Sequence, residues 1–454
     1  MGADDIGRFR FPTMSAAACL VAVLATAMTA TASPGAVSAD APTWVRAWGA
    51  ALMAPEEFDY YPGLGRSFED ATLRQIIVTT LAGRLLRVLI SNAHGSEPLV
   101  VGAAHVARAA QAPRIDTGSD RALLFGGQQS VTIPPGAQVY SDPVDLATAA
   151  GTMLAVSLYL PRSTADSTST VHEEGWRIGY LSTRGDFSAA ERFPVSARLY
   201  SYFYLGAVDV LAARPASAVV TFGDSLTDGT GSTPYSGRTW PDDLARRLQA
   251  AHHGELAVVN MAIGGNRLLH DETGPSALSR ADRDIFAIPG ARFVIIFEGI
   301  NDLWDWTEHP EQNVTAGQVI DALRELIVRA HAHGVRAIGA TVTPSLGCPD
   351  CTAQDEAKRQ SVNAWIRNSR KFDAVVDFDR VVRDPSIPAR IASRFDCGDH
   401  VHLSDAGYAA LARAVDLALF TAPHGTRAAA AHLPGRSRTY GANAVKASSM
   451  AEPR

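Results

Sequence analysis

The 454-residue sequence predicts an α/β fold with a parallel five-stranded sheet over residues 216–421, preceded by an all-β sandwich or jelly-roll-like domain over residues 42–212. Three observations lead there. Short apolar runs broken by Pro and Gly fill the earlier region, strand-length apolar runs alternate with helical patterns in the later one, and small or polar residues follow each of those later runs. A chain of this length exceeds one ordinary core and divides into domains.

The first 39 residues stand apart. Arg8 and Arg10 precede an apolar stretch over residues 16–29, and small residues then run to Ala39. That order predicts an export signal over residues 1–39, cleaved after Ala39 or near Ala32. The apolar run is shorter than the ~20 residues that span a bilayer, and Thr interrupts it. The expectation is a secreted, soluble, monomeric protein without a transmembrane segment, folded in an oxidising compartment.

In residues 42–212, the runs 73–80 and 84–91 flank Leu81-Ala82-Gly83, which predicts a hairpin. Residues 152–160 alternate, with Leu154, Val156, Leu158 and Leu160 on one face, as a half-buried strand does. Pro134-Pro135-Gly136 and Ser141-Asp142-Pro143 add turns, and the spacing suits a sandwich. Trp44, Trp48, Trp176, Tyr200, Tyr202 and Tyr204 are either core or a sugar-stacking platform, core being the commoner role.

From Ala213-Arg214-Pro215 the texture changes. Apolar runs at 218–222, 256–259, 293–297, 335–341 and 374–378 are separated by helical patterns. Val319, Leu323, Leu326, Ile327 and Ala330 share one helical face, and Gly334 marks the stop. A last helix follows Ser404, with Tyr408, Leu411 and Val415 on one side. Five such alternations predict a parallel sheet covered on both faces. Residues 422–454, rich in Ala, Gly, Ser and Arg, are expected to be a disordered tail.

Charge excludes one class of partner. The 41 Lys and Arg against 47 Asp and Glu give a net charge of -6 without long like-charge blocks, so no nucleic-acid footprint exists. Of four cysteines, Cys19 lies in the signal; Cys348 and Cys351 have redox or zinc spacing, but no second pair of ligands completes a tetrahedral site. The preferred reading is a structural disulfide from Cys397 to one of that pair. No metal or cofactor is expected.

Ligands of open parallel sheets sit beyond the carboxyl ends of the strands. The residues directly after each run are therefore informative: Gly223-Asp224-Ser225; Asn260 and then Gly264-Gly265-Asn266; Glu298 to Asp302; the Cys348 loop; and Asp399-His400-Val401-His402. A serine hydroxyl becomes a nucleophile when a histidine takes its proton, and that histidine needs an acceptor to fix its tautomer. Asp399 and His402, three residues apart, fit a base and its orienting acid facing Ser225. The Ser225 N–H, an N–H of the glycine loop and the Asn301 amide fit an oxyanion hole, each donor worth roughly 2.7 to 4 kcal/mol in the transition state.

The stretches "GDSLTDG", "NMAIGG", "GIND" and "DHVH" resemble, in order and spacing, the four blocks of the GDSL or SGNH hydrolases, a family of secreted esterases, lipases and carbohydrate deacetylases. The resemblance covers about residues 216–421. It implies a three-layer, flavodoxin-like domain of strand order 2-1-3-4-5, with Ser225 as nucleophile, Gly265 and Asn301 as oxyanion donors, and Asp399 and His402 as acid and base. Ala262 and Leu403 depart from the family's usual glycine and proline, which touches loop geometry and removes no reacting group. A β-rich region ahead of the hydrolase domain resembles bacterial two-domain members.

Asp224 is expected to shape the turn. His400 competes with His402 but lacks its spacing from Asp399. His331 and His333, two apart, share no helix face and are expected to be solvated. Glu298 and Asp302 could mimic a glycosidase carboxylate pair, a less simple account than an activated serine. The loop 267–279 with Trp304 and Trp306 is expected to line the substrate pocket. The reading is thus a serine esterase acting on carboxylic esters with short acyl or acetyl groups. Its alternatives are a polysaccharide acetylesterase, and a carbohydrate-binding or adhesive protein with an inert hydrolase domain.

Overall fold

The computed structural model describes residues 42–55 and 66–420 except 176, 305–308 and 350. The expected signal, Trp176, Trp306 and the expected tail from 422 lie outside the described residues. The described residues belong to one compact unit that begins at Asp40.

The β-rich part is a sandwich of two antiparallel sheets. One joins strands Thr43–Gly49, Leu205–Ala212, Gly83–Ser91 and Gln138–Tyr140 in that order, with Val144–Thr148 also on Gly83–Ser91. The other places Ala71–Val78 between Gly179–Arg184 and Met153–Leu160. The expected hairpin is therefore corrected: Ala71–Val78 and Gly83–Ser91 lie in different sheets, and the link between them crosses the sandwich. None of Leu81, Ala82 and Gly83 adopts the left-handed backbone that a tight hairpin demands. Gly83 is needed for packing instead, since a Cβ there would stand 2.6 Å from the Val210 Cβ.

The strand expected to be half-buried is covered on both faces. Leu154, Val156, Leu158 and Leu160 fill the core, while Ala155 and Ser157 are buried on the other side. The cover is Arg74, fully buried, whose guanidinium donates to Ser157 Oγ (2.9 Å) and to the carbonyls of Pro113, Ala190, Phe187 and Ser188. An arginine with its donors matched in this way is buried without an unpaired hydrogen-bond donor.

The α/β part carries a parallel sheet in which Ser217–Gly223 lies between Leu256–Asn260 and Ala291–Phe297, followed by Arg336–Ala340 and Ala374–Val376. Numbered by sequence, that order is 2-1-3-4-5. Its strands are apolar on both faces because helices cover both. The helix Ala316–Ala332 begins in a capping box between Thr315 and Gln318, buries the predicted Val319, Leu323, Leu326, Ile327 and Ala330, and stops at Gly334 with φ 71°.

The two parts share a continuous apolar core. At their seam, Thr80 Oγ donates to the Val258 carbonyl (2.8 Å) and accepts from its N–H (3.1 Å), while Arg46 N–H donates to the Pro289 carbonyl (3.0 Å). This polar stitch stands beside apolar contact: a Cβ on Gly49 would lie 3.0 Å from Met261 Sδ. The sandwich is thus packed on the edge strand Leu256–Asn260, which otherwise would expose unpaired backbone groups.

Candidate active site

The first parallel strand ends at Gly223, where a side chain has no room: a Cβ would stand 2.2 Å from the Phe297 carbonyl oxygen and 2.4 Å from Thr227 Oγ1. Asp224 then caps the short helix Ser225–Asp228, its carboxylate accepting from the Leu226 N–H at 3.0 Å. The turn holds Ser225 at the sheet's carboxyl edge.

Ser225 Oγ lies 2.8 Å from His402 Nε2, and His402 Nδ1 lies 2.6 Å from Asp399 Oδ2. Asp399 Oδ1 accepts from the N–H groups of Val401 (2.9 Å) and His402 (2.8 Å), so one tight turn positions acid and base together. Burial pushes the Asp399 carboxyl up, but its bonds to the His402 ring and to these amides outweigh that and hold it well below the usual carboxylate range. An ionised Asp399 accepts a hydrogen bond from the His402 Nδ1–H, which leaves Nε2 to accept from Ser225.

His400, the rival base, turns away. Its backbone is left-handed (φ 70°) and its ring bonds Asp396 Oδ2 at 2.7 Å. Neither His331 nor His333 stands alone in solvent: His331 Nε2 is 2.9 Å from Asp373, and His333 stacks on Phe286 at 4.6 Å between centroids.

The expected donors follow the ends of three neighbouring parallel strands. Among the described residues, no acceptor takes the backbone N–H of Ser225 or of Gly265. Gly265 has φ 70°, and a Cβ there would meet Thr273 Oγ1 at 2.6 Å. Asn301 is buried, with Nδ2 donating to the Asn266 carbonyl at 2.8 Å.

Beneath the edge lie buried acids. Asp224 and Glu298 directly follow the register pair Gly223 and Phe297 on adjacent parallel strands. Burial pushes Asp224 up to about 7, with the Leu226 N–H, His402 and Arg280 opposing and Asp302 adding to the rise. Glu298 is 2% exposed, and neither of its carboxyl oxygens has a hydrogen-bond partner among the described residues. Burial, then Asp224, raises its pKa well above the usual range, so it is neutral. Asp302 accepts from the N–H groups of Leu268 (2.7 Å) and Leu269 (3.2 Å) and thereby ties the loop to the strand end. Glu298 and Asp302 are both too enclosed to flank a glycosidic bond.

Sequence reasoning missed two contributors. Arg280, 2% exposed, bonds Asn266 Oδ1 and the carbonyls of Met261 and Gly223 and lies 4.0 Å from the Phe222 ring centroid. Glu174, from the β-rich part, accepts from Thr230 Oγ1 at 2.9 Å and approaches Gly264. The sequence held no signal for Glu174, because no motif spans the two parts.

The cysteine expectation is corrected. Cys348 bonds Cys351, with Cα atoms 5.3 Å apart, and Cys397 is free and exposed; the short loop already meets disulfide geometry. Among the described residues, one cluster, Asp396, Cys397 and Asp399, could approach a cation. Its carboxylates are engaged instead by the His400 and His402 rings and nearby amides. Of the aromatic set, Tyr202 and Tyr204 are core, whereas Tyr200 is exposed and lies 5.5 Å from Tyr235. Arg267, at the start of the expected pocket loop, is buried and bonds Gln312; Trp304 is half-buried.

A family model described as the GDSL-like lipase/acylhydrolase family matches residues 221–410. Residues 221–410 are thus a GDSL-like lipase/acylhydrolase domain. All five predicted site residues lie inside the match, whereas Glu174 lies outside it. No curated protein matches. Among solved structures, the chain is similar to the lipase/acylhydrolase from Enterococcus faecalis, 20% identical over 44% of this chain and 92% of that one, at a TM-score of 0.35. It is also similar to the acetyl xylan esterase from Geobacillus stearothermophilus, 23% identical over 44% and 93%, at a TM-score of 0.35. An alpha/beta hydrolase from the metagenome of Lake Arreo, Spain, is 24% identical over 44% and 92%, at a TM-score of 0.34. That domain makes the protein an ester hydrolase, which an ester substrate fits.

Proposed function

We propose that the protein is an exported serine esterase in which Ser225, His402 and Asp399 form the catalytic triad. The observation that carries this reading is the continuous relay from Asp399 Oδ2 through His402 to Ser225 Oγ at 2.6 and 2.8 Å. Ser225 Oγ attacks the acyl carbonyl while His402 Nε2 takes its proton. Asp399 stabilises the imidazolium, and the N–H groups of Ser225 and Gly265 with the Asn301 amide hold the oxyanion. His402 then protonates the leaving alcohol. Water, activated by the same ring, attacks the acyl-enzyme and restores Ser225.

Export is supported by the basic, apolar and small residue order over residues 1–39. Within the esterase reading, an acetylated sugar is favoured as alcohol by the exposed Tyr200 and Tyr235 rings, which offer faces on which a pyranose can stack. A panel of esters of rising acyl length, run beside acetylated xylan, ranks acetyl-sugar against lipid esters.

The test of the triad is labelling with a fluorophosphonate together with turnover of an activated acetyl ester. The wild type should label and turn over, and Ser225→Ala should do neither while keeping its melting temperature. An unlabelled wild type would move the case to a carbohydrate-binding protein with an inert site.

A further inference from the structure

The carboxyl group of Glu174 enters the hydrolase site from the β-rich part, and its contacts are specific. Both of its oxygens lie 2.9 Å from Thr230 Oγ1. Thr230 in turn donates its N–H to the Ser225 carbonyl (3.0 Å), and its own carbonyl accepts from the Tyr408 hydroxyl. On the other side, Glu174 Oε1 lies 3.7 Å from where a Cβ on Gly264 would stand, so the carboxyl abuts the loop that holds Gly265.

The segment that carries Glu174 is itself anchored at several points. Val171 exchanges backbone hydrogen bonds with Met53 at 2.7 and 2.9 Å, and His172 Nδ1 meets the Ala51 carbonyl at 3.0 Å. His172 Nε2 is 3.4 Å from Asp228, the last residue of the nucleophile's helix. The Gly175 N–H donates to the Tyr200 carbonyl at 2.7 Å, and a Cβ on Gly175 would stand 2.9 Å from that oxygen. Glu174 therefore reaches the site from a rigid support.

We propose that Glu174 is a positioning residue of the ester-hydrolysing site, through which the β-rich part fixes Thr230 and the glycine loop relative to Ser225. The inference rests on the esterase reading above. It gives the sandwich a task in catalysis: without the Glu174 carboxyl, Ser225 and the Gly265 donor drift apart, and misplacement on the scale of 1 Å costs about 100-fold in rate.

Neutrality follows from the surroundings. Glu174 is 7% exposed; burial, then the charge of Asp228, raises its pKa well above the usual range. Its own segment adds His172 and Arg177, with Glu173 acting on His172, and the helix Trp240–Ala250 adds Asp242 to the same enclosure. Tyr202, Tyr235 and Tyr408 complete the ring of titratable neighbours. His172 faces Asp228 at 3.4 Å: burial lowers its pKa, and Asp228, with the Ala51 carbonyl and Glu173, more than restores it. Ionised Glu174 would set a second negative charge near Asp228.

The experiment compares the full-length wild type, Glu174→Gln and Glu174→Ala by kcat across pH 5 to 9 and by melting temperature over the same range. Glu174→Ala should lose about 10- to 100-fold in kcat with little change in KM. Glu174→Gln should restore kcat to within a few-fold and remove an alkaline decline present in the wild type. Because the folded protein binds this proton more tightly than the unfolded chain, wild-type stability should fall relative to Glu174→Gln as pH rises. Wild-type kcat in Glu174→Ala, or a Gln variant as impaired as Ala, would overturn the proposal, as would identical pH profiles of wild type and Gln variant. If the wild type turns over no ester, the esterase reading fails by itself. The melting comparison then decides Glu174: parallel curves overturn the neutral acid.

Discussion

Asp224 and Glu298 follow directly on the paired residues Gly223 and Phe297 of neighbouring parallel strands, so two buried carboxyl groups stand side by side under the nucleophile turn. Neighbouring like charges in a dry site do not both ionise, and Asp224 adds to the rise that burial causes in Glu298. Glu298 keeps its proton; Asp224, pushed up to about 7 by burial, titrates next.

That arrangement makes stability depend on pH with a definite sign. Asp224, Glu298 and Asp302, the last pushed up to about 6 by burial against the Leu268 N–H and Arg267, all bind protons more tightly in the folded state. The contributions of Asp302 and Asp224 are full below about pH 4, the unfolded range of carboxyls, and are lost as pH rises through 6 and 7. Glu298 adds to the fall because the unfolded chain gives up this proton and the folded protein keeps it. Glu298→Gln should flatten this fall, and calorimetric melting from pH 4 to 8 measures it. A steeper fall in the variant contradicts a neutral Glu298.

Asp399→Asn keeps the size of the side chain and removes the charge that orients His402. The imidazole then favours the wrong tautomer, and kcat should fall by about 10⁴-fold with the melting temperature nearly unchanged. Steady-state kinetics on an activated ester checks this. A fall of less than about tenfold would reassign the acid.

Asn301→Ala removes one side-chain donor that meets charge only as it develops. The expected loss is about 10²- to 10³-fold in kcat with KM little altered. A rise in KM at constant kcat would instead place Asn301 in ground-state binding.

Gly223→Ala tests the packing of the turn itself. Its Cβ would meet backbone, the Phe297 carbonyl oxygen at 2.2 Å, which cannot swing aside as a side chain does. A loss of at least about 3 kcal/mol is expected, large for a single methyl, and chemical denaturation measures it. An unchanged midpoint would mean the two strand ends separate freely.

The α/β sheet and the composition of its site were legible in the sequence because both are local. Each strand is an apolar run, each helix announces its cap and stop, and Asp399 and His402 are held by one turn of three residues. Gly83 was misread as a turn glycine for the opposite reason: its role is set by Val210, remote in sequence and near in space. The cysteine pairing was missed because sequence counts thiols without their distances.

The sequence by itself determined which side chains could do acyl transfer and the order in which the strands deliver them, since a parallel sheet sends its strand ends to one edge. Only the tertiary structure decided that Glu174 of the sandwich abuts Gly264, and that Glu298 is enclosed without a hydrogen-bond partner among the described residues. The physical reason is that burial and proximity between remote segments set the electrostatics of a site, and neither has a period or a spacing along the chain.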